Sequence, residues 1–442
     1  MNKILIYFKQ AWNLIKQEKL FSSIYILGTA LSIMIVMVLS IILYLKIANI
    51  YPETNRDRML IVKSGTVTGK NKGVTSASLS LKLIETCLMP LKNAKAIAII
   101  DRRNNSGEIQ IAGSNESLPV TVKRINTAFW TIFPFRFIDG KPFTEADFQS
   151  GIATTVISES LSHRLFGTTE ATGKTINLDF KPFRISGVVK DASFITIKTY
   201  AQVWVPFTAF QEDGSEFKSI QWSGYAVSND LLGNMEAYIL APSRQDMGKL
   251  KEEIAGNIHR LNQTLKDYQL TLNGQPDEQW QSAFRLWSNE APDFNKISIQ
   301  YGLVFLILLL IPAISLSGMT ESRTERRLAE MGVRRAFGAP VWNLMGQIIS
   351  ENFLFTLIGG ALGLLLSYLF VLLGRNWIMQ IGQGFVSVPP KGTDVVITPS
   401  MLLNIHVFVI ALGVCFILNL LCALIPAWRA AHKEIIYSLN VK

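Results

Sequence analysis

Apolar residues are spread unevenly along this chain. Four stretches, 20–45, 297–320, 352–374 and 402–428, contain no Asp, Glu, Lys or Arg and are broken only by scattered hydroxyls, amides and His406. A helix needs roughly 20 mostly apolar residues to cross a hydrocarbon core of about 30 Å, because backbone groups in lipid must bond within their own segment. All four stretches meet that test, which predicts four transmembrane helices, with residues 20–50 forming the first.

Between the first two apolar runs lie about 246 residues, 51–296, with a different texture. Alternating and short apolar segments predict strands at 96–100, 119–125, 154–158, 183–189 and 236–240. Helices are predicted at 79–91, stopped near Pro90, at 159–166, closed by Gly167, and at 243–265. In the last, Ser243 serves as N-cap and Asp246 as the acidic third residue. The expectation is an α+β domain, divided into two lobes near 211–230. Ahead of the first run, Ile4, Phe8, Ala11, Trp12 and Ile15 recur at helical spacing opposite Lys3, Lys9, Gln10, Asn13 and Lys16. That pattern predicts an amphipathic interfacial helix over 1–19.

Charge then orients the chain. Lys+Arg 43 against Asp+Glu 33 gives a net +10, which taken alone could suggest nucleic acid. Residues 51–296 hold 28 basic and 26 acidic residues, a net of +2, so +8 belongs to the membrane-flanking parts. Lys3, Lys9, Lys16 and Lys19 precede the first run. Arg323, Arg326, Arg327, Arg334 and Arg335 lie between the second and third, and Arg429, Lys433 and Lys442 follow the fourth. The positive-inside rule therefore predicts cytoplasmic termini, a cytoplasmic 321–351 connector and 429–442 tail, a short outer loop at 375–401, and an extracytoplasmic 51–296. The basic excess is a topology signal, and no nucleic-acid partner is expected. The first run is too long for a signal h-region, and no A-x-A-like site follows it, so it reads as an uncleaved anchor.

Candidate chemistry is sparse. The segment from Gly167 to Thr175 imitates a phosphate loop, but it puts five residues between its glycines instead of four and lies on the side without ATP. It reads as a turn between a helix and a strand. His163, His259, His406 and His432 share no ligand spacing, the three cysteines offer neither a CxxC nor an internal disulfide framework, and HExxH and GxSxG are absent. No catalytic residue, cofactor site or metal site is expected, and the chain reads as a non-catalytic protein.

The connector carries more information. Arg326, Glu330 and Arg334 stand four residues apart, giving opposite charges along one helical face. Gly338 supplies a helix stop and Pro340 a first residue for the next helix, which together predict a bent helix pair.

The run ERRLAEMGVRRAFGAPVWNLMGQIISEN resembles the connector of ABC-transporter permeases of the MacB/FtsX type, with Arg327, Glu330, Gly332, Arg335, Ala336, Gly338, Ala339 and Glu351 in the matching positions. The glycine-rich 359–363 and the ending with Pro426, Ala427, Arg429 and Ala430 are similar to the same family. So are Ile138–Asp147, Gly173–Lys174 and Ile185–Val189, which look like its periplasmic core domain. This chain departs from the family in having Lys433-Glu434-Ile435 after the terminal A-x-R-A, and it lacks the attached ATPase of the macrolide-exporter subtype.

The resemblance implies a mechanotransmission permease in the bacterial inner (plasma) membrane. A separate ABC ATPase, which binds ATP and Mg, would dock on Arg327, Glu330, Arg334, Arg335, Gly338 and Glu351. A second permease copy or a paralogue would complete a dimer. Small residues at Gly28, Ser32, Gly359 and Gly363 independently permit close helix approach in the bilayer. Export of drugs, peptides or lipid-linked cargo, or lipoprotein release, is the expected work. A periplasmic adaptor, a lipoprotein or a hydrolase are the further partners the family suggests. Regulation of a cell-wall hydrolase or a sensor kinase, with nothing transported, is the alternative.

Overall fold

A computed structural model describes residues 12–13, 16–17, 19–70, 73–102, 106–110, 117–210, 230–326, 333, 337–338, 340–374 and 405–431. The chain divides into two compact units. One comprises Met1–Tyr44, Phe294–Gly384 and Ile397–Lys442, and the other Leu45–Asp293 and Phe385–Val396.

The first helix, α1 (Lys19–Ile47), follows the first apolar run to its end. The outer unit then alternates strands and short helices. They are β1 (Met59–Val62), β2 (Gly65–Gly69), β3 (Val74–Leu79), α2 (Leu81–Cys87), β4 (Ala96–Asp101), β5 (Ser106–Gln110), β6 (Ser117–Ile125), α3 (Phe129–Ile132), β7 (Phe137–Gly140), α4 (Glu145–Gln149), β8 (Thr154–Ser158), α5 (Glu159–Phe166), β9 (Thr175–Leu178), β10 (Lys181–Val189) and β11 (Val203–Pro206). After the 211–229 segment, which lies outside the described residues, come β12 (Leu232–Gly233), β13 (Met235–Leu240), α6 (Met247–Thr264), β14 (Tyr268–Thr271) and α7 (Gln279–Phe284). Three long helices close the chain: α8 (Phe294–Arg326), α9 (Val341–Leu373) and α10 (Ile405–Ala431).

Eleven of the described strands form one hydrogen-bonded path, β11-β8-β10-β9-β5-β6-β4-β13-β3-β2-β14, with β1 added at β13, β12 at β3 and β7 at β10. Because β11 also pairs with β6, the strands β6, β11, β8, β10, β9 and β5 close on themselves. Val120, Val122, Ile157, Leu178, Phe183, Ile185 and Val203 fill the interior of that ring. A second apolar cluster packs α2 and α6 on β1 to β4, β13 and β14 through Leu60, Leu83, Ile84, Ile239, Leu250 and Leu270.

The outer unit thus has separate apolar interiors, but their order along the chain differs from the predicted cut at 211–230. One interior draws on both ends of the segment and the ring is built from its middle, with β13 returning between β4 and β3. Strand pairing over long sequence separations leaves no mark in local periodicity, which is why the pattern could not show it.

Two boundaries shift for local reasons. Leu79 belongs to β3, paired with Leu232 and Met235, so the predicted 79–91 helix begins only after Ser80, whose hydroxyl accepts from the Leu83 amide at 3.0 Å. Ser243 does not cap the long helix, because its hydroxyl donates to Asp246 Oδ2 at 2.7 Å and the helix starts at Met247. The α5 end matches its pattern, with Gly167 in the left-handed region at φ 70°.

In the membrane unit, α1, α8, α9 and α10 meet on one apolar cluster that includes Ile33, Val36, Met37, Leu309, Leu364, Ala411 and Cys415. Two of the described helical stretches, Lys19–Ile47 and Ile348–Leu373, are long and apolar enough to cross a bilayer. Most of the predicted 1–19 helix, the 375–401 loop and the 429–442 tail lie outside the described residues.

Candidate coupling site

Of the connector residues, Arg327, Glu330, Arg334 and Arg335 lie outside the described residues. Gly338 has φ +85°, a left-handed conformation that favours glycine, and an added Cβ there would meet nothing within 4 Å. A side chain at Gly338 would therefore be disfavoured by the backbone conformation and not by lack of space. Pro340 follows as N-cap of α9. Glu351, near the third turn of α9, is only 4% exposed.

The small residues are used within the chain. A Cβ at Gly363 would lie 2.6 Å from the Ala30 carbonyl oxygen, and one at Gly359 would lie 2.8 Å from Thr29 Cβ. These glycines let α9 lie directly on the α1 backbone, the form of contact that holds helices together in lipid. Ser32 is buried and its hydroxyl donates to the Gly28 carbonyl at 2.8 Å, bonding along α1. Gly359 and Gly363 thus serve helix packing within the chain.

The structure adds a group that sequence reasoning missed. A helix ends with unpaired carbonyls, and at the end of α1 Arg56 supplies their donors: Nη1 donates to the Leu45 carbonyl at 2.8 Å and to the Ala48 carbonyl at 2.7 Å. Its Nε donates to Glu53 Oε2 at 2.8 Å, with 3% and 0% of the two side chains exposed. Glu53 Oε1 accepts from the Thr199 hydroxyl at 3.2 Å. The neighbouring Lys198 ammonium donates to Gln279 Oε1, and Gln279 Nε2 donates to the Lys46 carbonyl at 2.6 Å. The last turn of α1 is thus fastened twice, from the 53–56 turn and from α7.

Burial alone would push the Glu53 carboxyl up, but the charges of Arg56 and Lys198, with hydrogen bonds from Arg56 and Thr199, hold it below its ordinary value. Lys198 is held well below the ordinary lysine value, mainly by burial, with Glu53 opposing that shift. A second buried set adjoins it. The Lys198 ammonium lies 5.9 Å from the Tyr238 ring centroid, the Tyr238 hydroxyl donates to Glu236 at 2.7 Å, and the Lys123 ammonium donates to the Ile197 carbonyl at 3.0 Å. Burial lowers Lys123 to about 8.

The phosphate-loop imitation resolves into a turn. Asp139 Oδ2 accepts from the Ala171 and Thr172 amides at 3.0 and 2.9 Å, and the Gly173 amide donates to the Ile185 carbonyl at 2.8 Å. The amides that a phosphate would need are already taken by the protein. Among the described residues, no three His, Cys, Asp or Glu side chains gather as a metal site.

Residues 22–256 match the family model described as the MacB-like periplasmic core domain, and residues 302–435 match the FtsX-like permease C-terminal model. The chain is 25% identical over 269 residues to the pyoverdine export ATP-binding/permease protein PvdT of Pseudomonas savastanoi pv. phaseolicola, covering 60% of this chain and 37% of that protein. It is 23% identical over 257 residues to an uncharacterized ABC transporter permease, YknZ, of Bacillus subtilis, covering 57% of each. The chain thus spans roughly a third to just over half the length of these relatives. Among solved structures, the extracellular domain of YknZ from Gram-positive bacteria aligns at 17% identity and TM-score 0.32, over 47% of this chain and 100% of that one. The periplasmic region of MacB from Actinobacillus actinomycetemcomitans aligns at 15% identity and TM-score 0.33, over 47% and 88%.

Proposed function

We propose a function from one premise: the chain belongs to the family defined by a MacB-like periplasmic core domain, followed here by an FtsX-like permease domain. It is an ABC transporter permease-type protein, embedded in a membrane with an extracytoplasmic domain. In our reading it is the non-catalytic subunit that carries motion from a separate ATPase, which holds ATP and Mg, to the outer unit. Its site is the bacterial inner membrane, and its work is export of a drug, peptide or lipid-linked cargo, or lipoprotein release. The name of the export relative favours export over regulation.

The observation that carries this reading is the double fastening of the last α1 turn by Arg56 and Gln279. A helix that only anchored the outer unit could end in a flexible linker. Here the last turn of α1 is instead bonded into the outer unit, and a buried, hydrogen-bonded ion pair resists release of that turn. Breaking one partner of such a pair costs about 3–5 kcal/mol, far more than thermal energy.

Affinity purification of the detergent-solubilised chain from its native membrane tests the assignment. Recovery of an ABC ATPase together with a periplasmic adaptor or a lipoprotein supports it. Recovery of a cell-wall hydrolase or a sensor kinase in their place identifies a regulator, and recovery of the chain without any ATPase contradicts both readings.

A further inference from the structure

Two apolar side chains of the outer unit have most of their surface uncovered by the protein, Leu286 at 91% exposed and Trp287 at 69%. A loose loop could fold such residues back onto the protein, but this one is fastened on both sides. Before them, Arg285 pairs with Asp277 through two hydrogen bonds of 2.6 Å, both side chains buried, and donates to the Asn273 and Glu290 carbonyls at 3.1 and 2.6 Å. After them, the Ser288 carbonyl accepts from the Ser64 hydroxyl and the Asn273 amide at 3.4 Å each. Leaving such side chains in water forgoes the gain from burying their apolar surface. The fold therefore holds them outward by force of its own bonding.

What covers them follows from where the loop lies. Lys46 is the first charged residue after the apolar run 20–45, and so marks the level at which α1 leaves the hydrocarbon. The Lys46 carbonyl accepts from Gln279 on α7, and its ammonium sits 6.0 Å from the centroid of the Phe284 ring, at the other end of α7. Leu286 is two residues beyond Phe284, at most about 7 Å of chain away. Ten residues after Trp287 the next apolar run begins at Ile297. A Trp with an apolar neighbour, fixed beside the exit of a membrane helix, has the chemistry of the headgroup boundary, where an indole buries its ring and keeps its N–H wet.

We propose that Leu286 and Trp287 form a foot that inserts into the outer-leaflet boundary of the bilayer and sets the seat of the outer unit on the membrane. The proposal rests on the membrane-embedded reading of the chain, and its test separates the two. An environment-sensitive fluorophore is attached at Trp287→Cys, at Leu27→Cys in the apolar run of α1, or at Phe180→Cys on the exposed β9–β10 turn. Each is made in a full-length chain with Cys87, Cys415 and Cys422 replaced by Ala and reconstituted in phosphatidylcholine vesicles. Lipids brominated near the headgroup end of the acyl chain are expected to quench the probes at 287 and 27 by about twofold or more, as shallow insertion requires, and to leave that at 180 unchanged. Quenching at 27 without quenching at 287 overturns the foot alone. Absence of quenching at both overturns the membrane placement beneath it. In the chain with its native cysteines, Trp287→Phe is expected to reduce the share of tryptophan emission that the same lipids quench, and an unchanged share contradicts the proposal.

Discussion

Arg56 reaches from the first turn of the outer unit to the Glu53 carboxylate at 2.8 Å while its other arm closes the carbonyl end of α1, so a single buried guanidinium bonds both the turn and the helix. Arg56→Leu leaves Glu53 buried without its partner and is expected to destabilise the outer unit by about 3–5 kcal/mol. The double variant Glu53→Leu/Arg56→Leu should regain part of that stability, because it removes the unpaired carboxylate, although Lys198 then loses the Glu53 charge that supports its ammonium. It should not restore the helix closure, so amide exchange in residues 45–58 stays fast by mass spectrometry. Slow exchange in the double variant would show that the ion pair is not what fastens the helix.

Lys123 gives a pH signature. Its folded-state value is about 8, against 10.5 for an ordinary lysine. Below pH 8 the folded and unfolded chains both carry the proton. Between 8 and 10.5 the unfolded chain binds more, so stability rises with pH across that window, by up to about 3 kcal/mol. Lys123→Met should be more stable than the native chain at neutral pH and should lose the part of the rise that Lys123 contributes, leaving that of the likewise lowered Lys198, as thermal unfolding from pH 7 to 10 will show.

Gly363→Leu drives a side chain into the Ala30 backbone, where nothing can yield cheaply. A drop in thermal stability of the solubilised chain is expected, equivalent to several kcal/mol, roughly 3 or more. Gly413→Ala, whose Cβ meets nothing within 4 Å, serves as the control and should be neutral.

Gly338→Val places a β-branched residue at φ +85°, at a cost of about 1–2 kcal/mol, and should straighten the connector. In vesicles containing the copurified ATPase, the variant should insert normally yet lose nucleotide-dependent change in the outer unit. Gly338→Asn, which tolerates the left-handed region, should retain most of it. Equal behaviour of the two variants would mean that the bend is not used.

Much of this was legible locally. The apolar runs, the strand 154–158 and the helix 159–166 with its Gly167 stop are set by residues within one window. Ser80 and Asp246 moved two helix starts because a side chain can cap a helix or bond a neighbour, and composition does not show which. The fastening of α1 was not readable at all. It joins Glu53 and Arg56 to Thr199, Lys198 and Gln279, more than 140 residues apart, and each of these is an ordinary polar residue in its own window. Burial by distant strands is what turns them into a site. The ring closed by β11 on β6 was hidden for the same reason.

The most direct test of the lever account is hydrogen exchange on residues 45–58 in the vesicle-embedded complex with its ATPase, with and without ATP. The account expects a nucleotide-dependent change in protection at this junction that Arg56→Leu abolishes while ATP hydrolysis continues. Identical exchange with and without ATP in the native complex, under active hydrolysis, would contradict it.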